Sequence, residues 1–103
     1  MATRLAGNSG NEFWCSKPWF GRLWALWQST APDITPRLVM LDCPMYGYGI
    51  TAAEAERLAE RLTVALDDGT AARLFAPLHP PDIEKVTEFR DFAAASEGFD
   101  IDY

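Results

Sequence analysis

The chain has 103 residues, 49% of them hydrophobic and 23% charged, with a net charge of −6 at pH 7. That length makes one domain, and area scaling buries about two-thirds of its unfolded surface, enough for one core without metal or disulfide staples. The acidic balance leaves no basic patch to displace counterions from phosphates, which argues against direct nucleic-acid binding, and no apolar run approaches the roughly 18 residues of a membrane span.

Residues 1–10 lack the apolar stretch of a secretory signal, so a cytoplasmic location is expected. Their Gly7-Asn8-Ser9-Gly10 ending reads as a flexible tail leading into a turn, with the folded domain spanning 11–103. Glu12 to Ser16 predicts a short strand, Phe13 and Cys15 on one face and Trp14 on the other. Ser16 then suits an N-cap, with Pro18 in the first helical turn. From Pro18 to Ser29, Trp19, Leu23, Leu26 and Trp27 form one helical stripe and Phe20 and Trp24 a second beside it. All four tryptophans fall between Asn11 and Gln28, so this segment is either the anchor of the core or a contact surface.

Ala31 to Pro36 is a proline-punctuated loop, and Arg37 to Leu41 predicts a strand. Met45 to Gly49 reads as a glycine-rich loop. Thr51-Ala52-Ala53-Glu54 is a capping box, followed by the stripe Ala55, Leu58, Ala59, Leu62, Ala65 and Leu66, and Gly69 suits a left-handed helix end. Ala71 to Leu78 predicts a short strand around Leu74 and Phe75. Asp82 is placed to cap a third helix from Ile83 to Ser96, with Gly98 just past its end. Phe99, Ile101 and Tyr103 alternate with acids, a strand pattern. The expected fold is α+β: a single small domain of about three helices packed on a short, mostly antiparallel sheet.

Three features recur together: the aromatic first helix, Gly47-x-Gly49-Ile50-Thr51-Ala52-x-Glu54-Ala55 opening the second, and Glu88-Phe89-x-x-Phe92-x-x-x-Ser96-x-Gly98-Phe99 near the end. In these the chain resembles a group of small bacterial proteins of uncharacterised activity, over residues 11–101. The resemblance implies the order of elements and supplies no reaction.

Chemistry is poorly supported by the residues. Cys15, Cys43 and His79 provide the only thiol–imidazole combinations. No C-x-x-C pair occurs, and four zinc ligands cannot be gathered without a carboxylate, so no metal and no cofactor are expected. Cys43 lies between an acid and a proline, and His79 precedes two prolines, so neither Cys–His pair has local support as a nucleophile and base. No catalytic residues are assigned.

Residues 82–103 hold seven acids against Lys85 and Arg90, so most of the negative field comes from the last fifth of the chain. A basic protein partner is therefore favoured. The expected function is a non-enzymatic acidic interaction module, an inhibitor of a basic bacterial protein such as a nuclease or a nucleic-acid-binding complex. Toxin immunity and phage anti-defence, including anti-CRISPR inhibition, are the natural settings. Trp14, Phe20, Trp24, Tyr46 and Tyr48 would form its aromatic patch, and Glu84, Glu88, Asp91, Asp100 and Asp102 its acidic surface. An exposed tryptophan stripe would equally serve as a homodimer seam. The alternative is a small-ligand or catalytic domain built on the Tyr46–Gly49 loop.

Overall fold

The computed structural model describes residues 2–42, 45–75 and 80–102, and the side chains of residues 39–42, 45–46, 75 and 80–82 lie outside that description. Among the described residues, strands β1 (Ala2–Gly7), β2 (Glu12–Ser16), β3 (Arg37–Asp42), β4 (Met45–Ile50) and β5 (Phe99–Asp102) form one sheet. Helices α1 (Lys17–Thr30), α2 (Ala52–Asp67), α3 (Thr70–Phe75) and α4 (Pro80–Ala95) complete the α+β domain. The sheet is antiparallel with order β2-β1-β5-β4-β3, so the hairpins β1–β2 and β3–β4 are joined by β5 between them.

The expected tail is instead a strand, in register with two others, Leu5 pairing with both Phe13 and Ile101. The alternation of Thr3 and Leu5 inward with Arg4 and Ala6 outward is a two-residue period that four neighbouring small or polar residues obscure. The turn after β1 closes the carboxyl end of α4. Asn8 and Ser9 donate backbone N–H bonds to the carbonyls of Gly98 and Ser96, both at 2.9 Å. The side chains of Asn8, Ser9 and Asn11 donate to the carbonyls of Glu97 (3.0 Å), Ala95 (2.8 Å) and Phe92 (3.3 Å). Carbonyls that a helix end leaves without partners are thus satisfied from a distant loop.

Helix α1 starts where Ser16 Oγ accepts the N–H of Trp19, with Pro18 in its first turn. Its inward stripe seals Trp19, Phe20, Leu23, Leu26 and Trp27. Trp27 is fully buried and its indole N–H donates to the Ile34 carbonyl at 2.8 Å, which removes the cost of burying that polar group. Around it, Phe13, Phe89, Phe92 and Phe99 form an aromatic cluster with centroid separations of 5.3–6.4 Å. Core is therefore the role of Trp19 and Trp27.

The capping box of α2 is present in full, Thr51 N–H to Glu54 Oε1 at 3.0 Å and Glu54 N–H to Thr51 Oγ1 at 3.3 Å. Arg37 of β3 also grips the Glu54 carboxylate with both nitrogens, at 2.7 and 3.0 Å. This pairing, joined by the Thr51 bonds, holds the buried Glu54 carboxyl down at about 2, against an ordinary value of 4.5. A depressed carboxyl stabilises the fold fully above the unfolded value and loses that stabilisation as pH falls through the folded one. Glu54→Gln should therefore destabilise by about 2 kcal/mol at pH 7, less than full linkage because Arg37 is open to water, and by progressively less from pH 4.5 down to 2. Urea titrations across that range measure it.

Three further elements differ from the sequence expectation. Met45–Ile50 is strand β4 rather than a loop, because pairing with β3 on one side and β5 on the other overrides its two glycines. Thr70–Phe75 is helix α3 rather than a strand: Asp68 Oδ1 accepts the Thr70 N–H at 2.9 Å, and Arg73 N–H closes on Gly69 at 3.0 Å. Helix α4 begins at Pro80, upstream of the expected Asp82 cap, whose side chain lies outside the description. At its far end Glu97 (φ 59°) adopts the first left-handed conformation and Gly98 (φ 92°) the next. Thr3 is fully buried beneath the helices and its hydroxyl has no hydrogen-bond partner among the described residues. Thr3→Val, which removes an unsatisfied hydroxyl at constant shape, should raise stability by about 1 kcal/mol in chemical denaturation.

Candidate functional site

One row of side chains crosses the whole sheet on the face that carries the helices. Phe13, Leu5, Ile101, Tyr48 and Leu38 are successive cross-strand partners from β2 to β3. Their exposures are 7, 0, 3, 49 and 65%. The helical layer therefore seals β2, β1 and β5 and the Ile50 end of β4, and leaves Tyr48 and Leu38 open. Strands lie about 4.8 Å apart, so the open pair Tyr48 and Leu38 makes a strip about 10 Å wide at this row.

Along the border of this strip runs a groove of about 400 Å³, lined by Phe20, Gly21 and Trp24 of α1, by Thr35 and Pro36, and by Tyr48 and Ile101 of the sheet. Phe20 is buried, Trp24 half-buried and packed at a tilt against Trp27 with ring centroids 5.3 Å apart, and Tyr48 exposed. Gly21 lies in the interior of α1, and a Cβ built on it would meet nothing within 4 Å. Glycine within a helix costs about 1 kcal/mol relative to alanine. No close contact at Gly21 requires that cost, and its effect is to keep the groove open. Gly21→Ala should accordingly raise the melting temperature by several degrees, read by calorimetry.

The ten residues expected to form one partner surface fall into separate places. Phe20, Trp24 and Tyr48 share the groove, and the side chain of Tyr46 lies outside the description. Trp14 is on the opposite, helix-free face of the sheet, where its indole N–H donates to Glu12 Oε2 at 3.0 Å and Arg4 lies 5.9 Å from its ring. Arg4 also pairs with Glu12 at 2.8 Å. Asp100 and Asp102 alternate with the inward Phe99 and Ile101, so they share that helix-free face, half-buried. Glu84, Glu88 and Asp91 are exposed on α4. The expected composite of aromatic patch beside acidic surface is thus not formed, because the strand period sends the two aspartates to one side and α4 carries the other acids on the opposite side.

Sequence reasoning missed Gly21, Leu38 and Ile101 as parts of the site. Leu38 belongs to a continuous apolar run with no alternation to mark its face, and its place in the site follows only once Met45–Ile50 is recognised as the partner strand.

Cys15 is buried, and burial pushes its thiol up to about 11, the reverse of what a nucleophile needs. Cys43 and His79, the other members of the thiol–imidazole combinations, lie outside the described residues. Among the described residues no group of three or more His, Cys, Asp or Glu is arranged to hold a metal ion, and no helix is long and apolar enough to cross a membrane. No protein-family model matches the chain, and neither the curated proteins nor the solved structures give a match to it.

Proposed function

We propose that the chain is a non-enzymatic interaction module, an acidic inhibitor of a basic protein, that docks through the Trp24–Tyr48 groove and the uncovered strip beside it. The observation that carries this reading is the run of exposure along one row of the sheet, from sealed Ile101 to open Tyr48 and Leu38. A tyrosine and a leucine left open next to an apolar groove gain free energy when a partner removes them from water. The charge of −6 speeds encounter with a cationic partner. Toxin-immunity and phage anti-defence pairs are settings in which such binders meet basic nucleases.

The test is affinity capture from a lysate of the source organism at low and high salt, with wild type and Tyr48→Glu side by side. Proteins held by wild type and released by the variant support the reading; identical capture by both opposes it. The groove's volume of about 400 Å³ also falls in the range of small-ligand sites, and favours ligand binding as the second reading. Stabilisation by a small molecule that Tyr48→Ala abolishes would favour it over docking.

A further inference from the structure

We infer that the groove between α1 and the sheet binds an uncharged molecule of two or three fused rings that carries a hydrogen-bond acceptor, an inference that rests on the small-ligand reading given above. Depth and size come first. Phe20 and Ile101 are 5 and 3% exposed and make the floor, whereas Trp24 is half-buried and Tyr48 stands open at the rim. A dry apolar cavity of about 150 Å³ takes one benzene ring, so a groove of about 400 Å³ suits two or three. Gly21 leaves room for them, since its Cβ position meets nothing within 4 Å.

The lining then selects against charge. None of the described residues that line the groove is ionised at pH 7. Asp100 and Asp102, next to Ile101 in sequence, alternate to the other face of the sheet, and Arg37 is committed to the Glu54 carboxylate. An ion entering the groove would shed water and meet no countercharge. What the walls offer instead is rings, whose edges and faces attract another ring beyond the area they bury.

The acceptor follows from the indoles. Trp14 donates its N–H to Glu12 and Trp27 donates its own to the Ile34 carbonyl. Trp24, half-buried in the groove wall, has no acceptor for its indole N–H among the described residues. A carbonyl on the ligand supplies one, with the hydroxyls of Thr35 and Tyr48 as the other polar groups of the lining.

The probes share one ring system and differ in charge: naphthalene-2-carboxamide, naphthalene-2-carboxylate and naphthalen-2-yl-trimethylammonium, with benzamide as the single-ring control. Binding is read from amide and indole shifts of the isotope-labelled full chain. The neutral naphthalene amide should saturate one site per chain and shift Gly21, Thr35, Tyr48 and the Trp24 indole. Both ions and benzamide should bind about tenfold more weakly or worse. Trp24→Phe, which keeps a ring and removes the N–H, should weaken the naphthalene amide by roughly threefold to tenfold. Gly21→Leu fills the open space and should weaken it by about tenfold or more. Tyr48→Ala, at an exposed position that the fold tolerates, should weaken it as well.

An ionic probe that binds as tightly as the neutral one overturns the inference; a tighter cation would mark an aromatic cage for ammonium groups instead. Benzamide binding equally well, or indifference to Trp24→Phe, also overturns it. In these cases a ligand still occupies the groove, so the small-ligand reading stands. If no probe shifts the groove residues, or if binding survives both Gly21→Leu and Tyr48→Ala, that reading falls with the inference.

Discussion

Gly98→Ala should destabilise the domain by about 3 kcal/mol, a drop of roughly 15 °C in melting temperature for a chain of this size. Two costs add. Gly98 has φ +92°, a conformation that costs an L-residue about 1 kcal/mol or more. Its new Cβ would also lie 2.8 Å from the Ile50 carbonyl, 2.9 Å from Asn8 Nδ2 and 3.0 Å from the Ala52 nitrogen. The first and third are backbone atoms on the β4–α2 junction, so relief requires moving a strand end or a helix start. Gly69→Ala supplies the comparison. Gly69 has φ +85° but open space around its Cβ position, so only the conformational cost of about 1 kcal/mol applies. Thermal and urea unfolding of the two variants separates crowding from conformation; equal losses would mean that the contacts at Gly98 contribute nothing.

Deleting residues 1–10 should abolish cooperative folding altogether. The deletion removes β1, so β2 and β5 each lose their pairing with it, and the buried Leu5 and Thr3 leave the core. It also strips the partners from the carbonyls of Ala95, Ser96, Glu97 and Gly98. Near-ultraviolet dichroism and amide dispersion should both collapse. A truncated chain that keeps a sharp thermal transition would show that the sheet tolerates losing a central strand. The milder Ser9→Ala, which frees only the Ala95 carbonyl and the Asn11 side-chain contact, should cost about 1 kcal/mol.

These two cases mark where sequence reading succeeds and where it stops. Helices α1 and α2 are legible because cap and stripe agree: Ser16 with Pro18, and Thr51 with Glu54, each precede apolar residues at helical spacing. Strand β1 is not, because Gly, Asn and Ser after it carry the composition of a free end, and the bonds that use them join residues almost ninety positions away. Strand β4 is hidden by Gly47 and Gly49, which are acceptable in a strand only because both its neighbours hold it. In the site, the aromatic character of Phe20, Trp24 and Tyr48 is visible, but which of them stays exposed is decided by where the helical layer stops. Composition carries no record of that boundary.

The place of β5 has a consequence for how the molecule is made. As the chain leaves a ribosome, the β1–β2 hairpin emerges first and the β3–β4 hairpin later, yet neither can join the other until Phe99–Asp102 arrives to sit between them. Until then β1 and β4 both present unpaired edges and the inner row of the sheet is open, the kind of surface that aggregates in nascent chains. With Arg4 closing on Asp102, assembly waits on contacts spanning nearly the whole chain, and a stalled or shortened translation product would hold two hairpins with nothing to unite them.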